Sequence, residues 1–322
     1  MDPSDVTMLP LKTVRFHAMG TPCELLLYAS DEAAENAVKA ELTRLEVKFS
    51  RYRDDSFLSR INAVAKEGGT IEVDSETGQL LDYACICYTQ SAGLFDVTSG
   101  LLRQAWNFKE PALPEADKLE QLLTRVGWEK VDWSSPLLSF PVAGMELDFG
   151  GVVKEYAADR AATLCQEHGV QHGLINLGGD IRIVGPHPDG SPWQIAIRDP
   201  REKEHSLCTI ALTHGALASS GDYERCFTLE GRRYGHILDP RTGWPVQGIA
   251  AISVVAELCV VAGSAATIGM LQGEAAKTWL VGLGLRHIWV DTQGKIGGSL
   301  IHEIIEPHGS AESGNAKRAT SS

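Results

Sequence analysis

The sequence is short of positive charge and of long apolar runs. Its 322 residues contain 29 lysines and arginines against 42 aspartates and glutamates, so the formal net charge is −13. This acidic balance argues against a general binder of nucleic acids or anionic membranes, although it is compatible with a local basic patch around an anionic ligand. No run approaches the roughly 18 apolar residues that a membrane-spanning helix needs. We therefore expect neither a nucleic acid nor a membrane among the partners.

Paired cysteines and a targeting segment are also missing. The seven cysteines are an odd number, and the nearest two, Cys85 and Cys87, form C-x-C rather than C-x-x-C. This pattern indicates neither a zinc site nor a disulfide framework. The first residues, MDPSDVTMLPLKTVRF, show no basic segment followed by an apolar one. Free buried thiols in a reducing compartment are the simplest explanation, so we predict a cytoplasmic location.

What the sequence does contain is typical of a globular protein with a sizeable core, since 43% of its residues are hydrophobic and 22% are charged. Segments with apolar residues at helical spacing are mixed with short alternating segments, which predicts an α+β fold with mainly antiparallel strands. We expect an N-terminal arm at 1–12 and one domain at 13–305, built from two intimately packed subdomains. The last segment, 306–322, has few apolar residues and is predicted to be disordered.

The stretch at 145–160, MELDFGGVVKEYAADR, carries the clearest local signal. A short apolar run ends at Asp148 and the pair Gly150-Gly151, and a helix is predicted to start near Lys154. Glycines let the backbone approach a phosphate, and the first N–H groups of a helix have no partner within it, so this arrangement predicts an anion site. A plain tight turn is an equally good explanation of the stretch taken alone.

Polar motifs recur where predicted strands end. There are five of them: FDVTSG at 95–100, LDFGGVVK at 147–154, NLGGD at 176–180, SSGDYER at 219–225 and HILDPRTGWP at 236–245. Any one of these motifs is explained by a turn, because Asp, Gly and Ser are ordinary turn residues. An apolar core does not need so many of them together, however, and the set of five favours a functional site.

With these motifs the chain resembles the ApbE family, the FAD:protein FMN transferases or flavin transferases. The resemblance runs from about Phe16 to Gly273 in seven blocks that follow the family's order: FHAMGT, FSRYRDDSFLSRIN, FDVTSGLLRQAW, LDFGGVVKEYAADRAA, GLINLGGDIRIVG, SSGDYERCF and HILDPRTGWPV. One block would be weak evidence, whereas seven in sequence are specific. The resemblance implies an ApbE-like, T-fold-like α+β architecture of mainly antiparallel sheets flanked by helices.

The resemblance also implies a reaction and a set of site residues. FMN would pass from FAD to a Thr or Ser hydroxyl of an acceptor protein, AMP would leave, and Mg²⁺ would assist. His236 matches the family's proposed catalytic base, which suits a side chain with an ordinary pKa of about 6.5. The carbonyl of Gly151 and the hydroxyl of Thr267 match two of the metal ligands. The flavin-binding positions carry over onto Met19, Tyr52, Leu94, Phe95, Asp96, Asp148, Lys154 and Leu238.

Some of these assignments have a physical reason beside the resemblance. Met19 and Tyr52 offer polarizable and aromatic surface for a flavin ring. Lys154 and the Gly150-Gly151 backbone suit a pyrophosphate. We therefore predict a dinucleotide against the bend at 148–154, with its ring near Met19 and Tyr52 and its diphosphate toward Thr267. Asp222, Tyr223 and Arg225 are secondary candidates, because SGDYER is explained equally well by a hydrogen-bond network at a strand end.

The chain departs from the family at the metal. The family has an A-D-A-x-x-T motif where this sequence reads AGSAAT, so Gly263 stands at the position of the acidic ligand. Magnesium prefers oxygen ligands, commonly one or two carboxylates with phosphate and water. Glu257 is predicted to project elsewhere. Glu155 replaces the glycine usual after Lys154, and it is either a displaced metal ligand or, as we favour, a solvent-facing side chain.

Two functional hypotheses follow from this departure. The first is an active flavin transferase that holds its metal in a modified way. If Gly263 instead weakens metal binding, Gly263→Asp should raise Mg²⁺-dependent release of AMP from FAD. The second is a catalytically lapsed relative that binds FAD as a carrier, sensor or redox scaffold. An enzyme that uses bound flavin for other chemistry is a third class. FAD is the expected ligand under each hypothesis.

Overall fold

The computed structural model describes residues 10–202 and 204–303, so the predicted tail at 306–322 and residues 1–9 of the predicted arm lie outside the described residues. The α-helices are α1 (Glu32–Phe49), α2 (Phe57–Glu67), α3 (Ser75–Gln90), α4 (Ala116–Leu123), α5 (Val153–Glu167), α6 (Cys259–Gln272) and α7 (Ala276–Gly282). Short 3₁₀ helices span Ser99–Gln104, Trp128–Lys130, Gly273–Ala275 and Ser299–Glu303.

Fifteen strands are described. They are β1 (Leu11–Ala18), β2 (Thr21–Tyr28), β3 (Gly69–Glu72), β4 (Asp132–Ser134), β5 (Leu137–Phe140), β6 (Gly173–Leu177), β7 (Asp180–Gly185), β8 (Trp193–Arg198), β9 (Ser206–Leu212), β10 (Ala216–Gly221), β11 (Cys226–Leu229), β12 (Arg232–Gly235), β13 (Ile249–Ala256), β14 (Arg286–Asp291) and β15 (Ile296–Gly297).

The central element is an eight-stranded sheet in the order β1-β2-β6-β7-β10-β13-β14-β15. Smaller sheets are formed by β3-β5-β4, by the β8-β9 hairpin and by the β11-β12 hairpin. Every strand pair in the described part of the chain is antiparallel. This arrangement confirms the predicted α+β class with mainly antiparallel sheets.

Polar side chains mark where several helices begin. Asp31 accepts a hydrogen bond from the backbone N of Ala34 at 2.8 Å, and Asp74 accepts one from Thr77 N at 3.0 Å. Such caps satisfy N–H groups that have no partner within the helix, so each fixes the first turn of its helix. Asp31 is therefore the residue that caps α1.

The two faces of the central sheet are covered differently. Helices α1, α5 and α6 pack on one face and share the main apolar core with it. The β8-β9 hairpin covers the other face, and its strand β8 alternates strictly between buried and exposed residues because its inner side chains meet a second apolar cluster. The seven cysteines are free, as predicted. Within the described ranges, no helix is long and apolar enough to cross a membrane.

The turns at one end of the central sheet pack closely against each other. The β6-β7 turn holds Gly178, whose backbone N donates to the carbonyl of Pro22 at 3.0 Å. A Cβ on Gly178 would lie 2.0 Å from Thr21 Oγ1, so only glycine permits this approach. This contact sets the NLGGD motif beside the β1-β2 turn.

Candidate active site

The bend before α5 connects several loops. The backbone N of Asp148 donates to the carbonyl of Val97 at 2.8 Å, and its Oδ1 accepts from Gly150 N at 2.9 Å. Its other oxygen pairs with Arg51. A Cβ on Gly100 would lie 2.4 Å from Asp148 Cβ, so the 3₁₀ helix Ser99–Gln104 packs directly on the Asp148 side chain. Asp148 thus fixes the glycine turn and joins it to two other loops.

Tyr52 forms an open aromatic surface beside this bend. Its side chain is 75% exposed, and the guanidinium of Arg51 lies 4.9 Å from its ring centroid and donates to its hydroxyl at 2.8 Å. Burial alone would raise the pKa of Tyr52, but hydrogen bonds and charges from Arg51 and Arg225 outweigh it and lower that pKa. The ring therefore offers a flat face flanked by two cations, which suits a planar ligand with a negative group.

The Leu94-Phe95-Asp96 stretch packs against the glycine bend at Gly151. All three residues are buried, and a Cβ on Gly151 would lie 3.4 Å from the Phe95 ring. The carboxylate of Asp96 faces inward and accepts from the N and Oγ1 of Thr98, both at 2.7 Å. Any contact of Asp96 with a ligand must therefore come from the backbone.

Met19 occupies the β1-β2 turn at the edge of the same region. It adopts a left-handed conformation with φ of 54°, which is uncommon for a side-chain-bearing residue. Its backbone N donates to Glu46 Oε2 at 2.8 Å, and this bond to the end of α1 holds the turn in place. The side chain is half-buried against the core, leaving part of it open.

Lys154, in the first turn of α5, reaches the start of β7. Its Nζ lies 2.6 Å from Asp180 Oδ2, and Asp180 itself is buried. Burial alone would lower the pKa of Lys154, but the charges of Asp180 and Glu155 prevail and raise it. Lys154 is therefore a firmly protonated cation. Sequence reasoning quoted Asp180 within NLGGD and gave it no role, although an acid directly after two glycines was an available signal.

The prediction that Glu155 faces solvent is wrong. Its side chain is only 7% exposed, because α5 packs against α6 at this point. A Cβ on Gly263 would lie 2.4 Å from Glu155 Cγ and 3.0 Å from Oε1, so the Glu155 side chain fills the space that a side chain at 263 would take. Burial first, and then the charge of Asp180, raise the pKa of Glu155 to about 8. An aspartate introduced at 263 alone would collide with Glu155, so we withdraw the expectation that Gly263→Asp raises activity.

Thr267 lies one helical turn beyond Gly263 on α6. Its hydroxyl is 3.0 Å from that of Ser220 at the end of β10. Glu257 is exposed and pairs with His214, so it does project elsewhere, as predicted. No group of three or more His, Cys, Asp or Glu side chains suited to a metal is found among residues 10–202 and 204–303. A metal here would need backbone, hydroxyl or ligand oxygens beside any carboxylate.

His236 follows β12 and is partly buried. Its Nδ1 is buried and has no hydrogen-bond partner within the described part of the chain. Burial first, and then the positive charge of Arg225, lower the pKa of His236. Leu238, two residues on, is half-buried and pairs through its backbone with Pro245. The imidazole is thus kept neutral in a site that already holds Tyr52, since Arg225 reaches both side chains.

The secondary candidates around Asp222 form a structural network. Asp222 is buried and accepts two hydrogen bonds from Arg201, at 2.6 and 2.9 Å. Its backbone N donates to Ala250 at 2.9 Å. This bidentate pair holds the SGDYER segment against the sheet, in line with the network hypothesis.

The structure links four of the predicted site residues through direct contacts, whereas the described contacts of Met19, Leu238 and Thr267 are with other residues. Arg51 joins Tyr52 to Asp148, and Phe95 packs behind Gly151. The most informative residue that sequence reasoning missed is Arg51, which lies beside Tyr52 in FSRYRDD and could have been singled out as the nearest cation. The role of Glu155 depends on a contact between two separate helices and has no comparable local signal.

The comparisons with known proteins agree with this geometry. The model of the ApbE family matches residues 19–288. The FAD:protein FMN transferase of Haemophilus influenzae is 31% identical over 257 residues, which cover 76% of this chain and 74% of that protein. The transferase of the same name from Treponema pallidum is 30% identical over 279 residues, covering 79% of this chain and 77% of its own length.

Solved structures show the same similarity. The ApbE protein of Thermotoga maritima superposes with a TM-score of 0.82 at 30% identity, covering 90% of this chain and 97% of that one. The flavin transferase ApbE of Vibrio cholerae gives a TM-score of 0.80 at 26% identity, covering 90% and 98%. By its sequence and its fold, the chain belongs to the ApbE family.

Proposed function

We propose that this protein is an FAD:protein FMN transferase that moves FMN from FAD to a Thr or Ser hydroxyl of an acceptor protein and releases AMP. The observation that carries the proposal is the exposed Tyr52 ring, flanked by Arg51 and Arg225, next to the glycine bend at the start of α5. Relatives about 30% identical bear the name of this activity. The acceptor is a second protein whose identity this site does not specify.

The start of α5 is suited to the FAD diphosphate. No side chain caps this 15-residue helix, and although Val153 N donates to the carbonyl of Phe149 at 3.0 Å, the helix dipole favours an anion at this end. Gly150 and Gly151 allow close approach of the phosphates, and Lys154 adds a cation held by Asp180. The flavin ring would lie between Met19 and Tyr52, with Leu94, Phe95, Asp96 and Leu238 shaping the rest of the pocket.

The chemistry assigned to this chain is a displacement at phosphorus. The oxygen of the acceptor hydroxyl forms a bond to the phosphorus of the FMN half, and the P–O bond to the AMP half breaks. His236 accepts the proton of that hydroxyl, for which its neutral imidazole is suited. The departing AMP phosphate keeps the bridging oxygen, and Lys154 lies where it can balance the phosphate charge.

The proposed reaction uses Mg²⁺, which would be held by the carbonyl of Gly151 and the hydroxyl of Thr267. Both are oxygen donors, as a hard cation requires, and the diphosphate of FAD would add more. Bound metal supplies charge neutralisation at the transferred phosphoryl group. We also propose a cytoplasmic location, which rests on the free cysteines.

The lapsed relative is the weaker hypothesis. It was motivated by the loss of the acidic residue at Gly263. Glu155 places a buried carboxyl group in the space next to Gly263, so an acidic side chain from α5 stands where the one at 263 is missing. No feature of the site favours a carrier, sensor or redox scaffold over a transferase.

The decisive experiment is mass spectrometry of acceptor peptides incubated with the protein, FAD and Mg²⁺. We expect covalent addition of FMN to a Thr or Ser side chain and one AMP for each FMN added. His236→Ala should lower the rate by roughly 10²- to 10⁴-fold, the usual contribution of a general base, while FAD still binds. FAD binding without covalent FMN on any peptide from an acceptor library would favour the lapsed relative instead.

A further inference from the structure

We propose that Glu155 supplies, from α5, the metal-binding carboxylate that the family pattern places at position 263 on α6. This inference rests on the proposed function, because the metal would serve the same phosphoryl transfer. It assigns a role to the two sequence departures together: a glycine has become an acid at 155, and an acid has become a glycine at 263.

The space argument comes from the contact between α5 and α6. A Cβ on Gly263 would lie 2.4 Å from Cγ and 3.0 Å from Cδ and Oε1 of Glu155. The Glu155 carboxyl group therefore occupies the position that a short acidic side chain at 263 would reach. Two side chains cannot share this volume, so each residue explains the other.

The same position relates Glu155 to the other two donors. Gly151 lies in the turn two residues before α5 begins, and Thr267 follows Gly263 by four residues within α6. Positions four apart lie on one face of a helix. A carboxylate beside Gly263 is thus next to the face of α6 that carries Thr267, and Glu155 stands in the first turn of the helix that follows the Gly151 turn.

Unsatisfied hydrogen bonding points to a missing ligand. Oε2 of Glu155 is buried without a hydrogen-bond partner within the described ranges, and the whole side chain is more than nine-tenths buried. Leaving a buried carboxylate oxygen unpaired is costly, so native sites normally supply a donor or a cation. Two facing carboxylates, Glu155 and Asp180, share a single cation, Lys154, which pairs with Asp180. Lys154 is therefore engaged with Asp180, and a metal ion would supply the missing partner of Glu155 Oε2.

The test measures metal binding directly, with Mn²⁺ as the probe and the electron paramagnetic resonance signal of free Mn²⁺ as the readout. Titrations are run with and without FAD and without any acceptor. Glu155→Gln keeps the shape of the side chain and removes its charge, and we expect the Kd for Mn²⁺ to rise at least about tenfold, since even residues behind the metal ligands are often worth 10- to 100-fold. Glu35→Gln is the matched control, because Glu35 is also a buried helical glutamate but lies on α1.

A swap variant keeps the inference testable if Glu155→Gln folds poorly. Glu155→Gly alone should lose the site, whereas Glu155→Gly combined with Gly263→Asp should recover Mn²⁺ binding to within a few-fold of the original protein. Gly263→Asp alone should bind Mn²⁺ no better than the original protein, because the new side chain collides with Glu155. Circular dichroism verifies that each variant is folded.

The outcomes separate this inference from the proposed function. Equal Mn²⁺ affinity in the original protein and Glu155→Gln overturns the inference, and Glu155 is then a proton-sharing partner of Asp180, whether or not FMN transfer is observed. Glu155-dependent Mn²⁺ binding without any FMN transfer supports the inference and counts against the transferase. Failure of the double variant to recover binding that Glu155→Gly has lost also contradicts the exchange of positions.

Discussion

Three charged side chains around His236 set its proton affinity. Burial lowers the pKa of His236 most, and the positive charge of Arg225 lowers it further. The negative charges of Glu224 and Asp222 raise it. His236 therefore stays neutral, and able to accept a proton, at lower pH than an ordinary histidine. We expect the acidic limb of kcat/KM for FMN transfer to lie below pH 6.5, and Arg225→Ala to move it upward because a positive neighbour is removed.

The control for this prediction is Glu224→Gln, which removes a negative neighbour and should move the same limb downward. Arg225 also reaches the hydroxyl of Tyr52, so its removal is expected to raise the KM for FAD as well. The direction of the pH shift is independent of that effect. An acidic limb that both variants leave in place would show that His236 is not the titrating base.

Arg51 connects two side chains of the proposed FAD site. It pairs with Asp148 and donates to Tyr52, and both partners are predicted to bind FAD. Arg51→Ala should weaken FAD binding by roughly 10- to 100-fold, because charge-assisted hydrogen bonds of this kind are each worth about 1.5–3 kcal/mol. Flavin fluorescence quenching measures the Kd.

The matched control is Arg53→Ala, only two residues further along. Arg53 pairs with Asp55 in a setting where both side chains are about half exposed or more, and such surface pairs contribute little. We expect its Kd for FAD to stay within about twofold of the original. Similar losses in both variants would mean that general positive charge, rather than the contacts of Arg51, attracts the ligand.

Residue roles differed in how far the sequence could reveal them. The motifs point to Tyr52, Asp148 and Gly151, and in the structure Arg51 joins Tyr52 to Asp148 while Phe95 packs against Gly151. Glu155 was misread because its burial depends on a glycine more than a hundred residues away. Propensity and spacing report on one element at a time, so an exchange of side chains between two packed helices has no local signature.

At the scale of elements, α6 depends on an acid from α5 for its start. Asp159 accepts hydrogen bonds from the backbone N of Cys259 at 2.9 Å and of Val260 at 3.0 Å. It also lies 2.9 Å from Arg182 Nε on β7. Asp159→Ala removes a helix cap and leaves Arg182 without its carboxylate, so we expect the free energy of unfolding to fall by about 2–4 kcal/mol.

Urea denaturation followed by circular dichroism measures this loss. Asp189→Ala is a suitable control, since Asp189 accepts only from Ser191 in an exposed turn. It should cost less than about 1 kcal/mol. Asp159→Ala should also weaken Mn²⁺ binding, because α6 carries Thr267. Full stability in Asp159→Ala would show that packing alone positions α6.

Element boundaries show where sequence reasoning stops. The spacing predicts a helix at 116–126 ended by a left-handed Gly127, but α4 ends at Leu123 and Gly127 has φ of 139°. Two distant side chains hold the loop after α4 instead. Thr98 Oγ1 accepts from Gly127 N at 2.7 Å, and Asp96 Oδ2 accepts from Trp128 N at 3.0 Å. Such distant partners override local propensity. The neighbours in the central sheet are equally non-local, as with β2 beside β6.

At the scale of the whole molecule, the proposed ligand site draws on elements from the β1-β2 turn to α6. A ligand that binds only the folded chain stabilises it by about 2.7 kcal/mol when present at 100 times its Kd. For a domain of this size each kcal/mol corresponds to roughly 2–4 °C, so saturating FAD should raise the Tm by about 5–10 °C. Differential scanning calorimetry at fixed protein concentration measures the shift.

Comparing the Tm shifts given by different ligands tests whether the site has separate parts for the flavin ring and for the diphosphate. Riboflavin, which has the ring and no phosphate, should give a much smaller shift, because it leaves the start of α5 and Lys154 without an anion. Tyr52→Ala should reduce the FAD shift while leaving the Tm of the free protein nearly unchanged, since the ring is 75% exposed and packs little. Equal Tm shifts with riboflavin and FAD would show that the flavin ring supplies all the binding energy, and they would contradict a diphosphate site at the start of α5. The absence of a shift with saturating FAD would contradict FAD as the ligand.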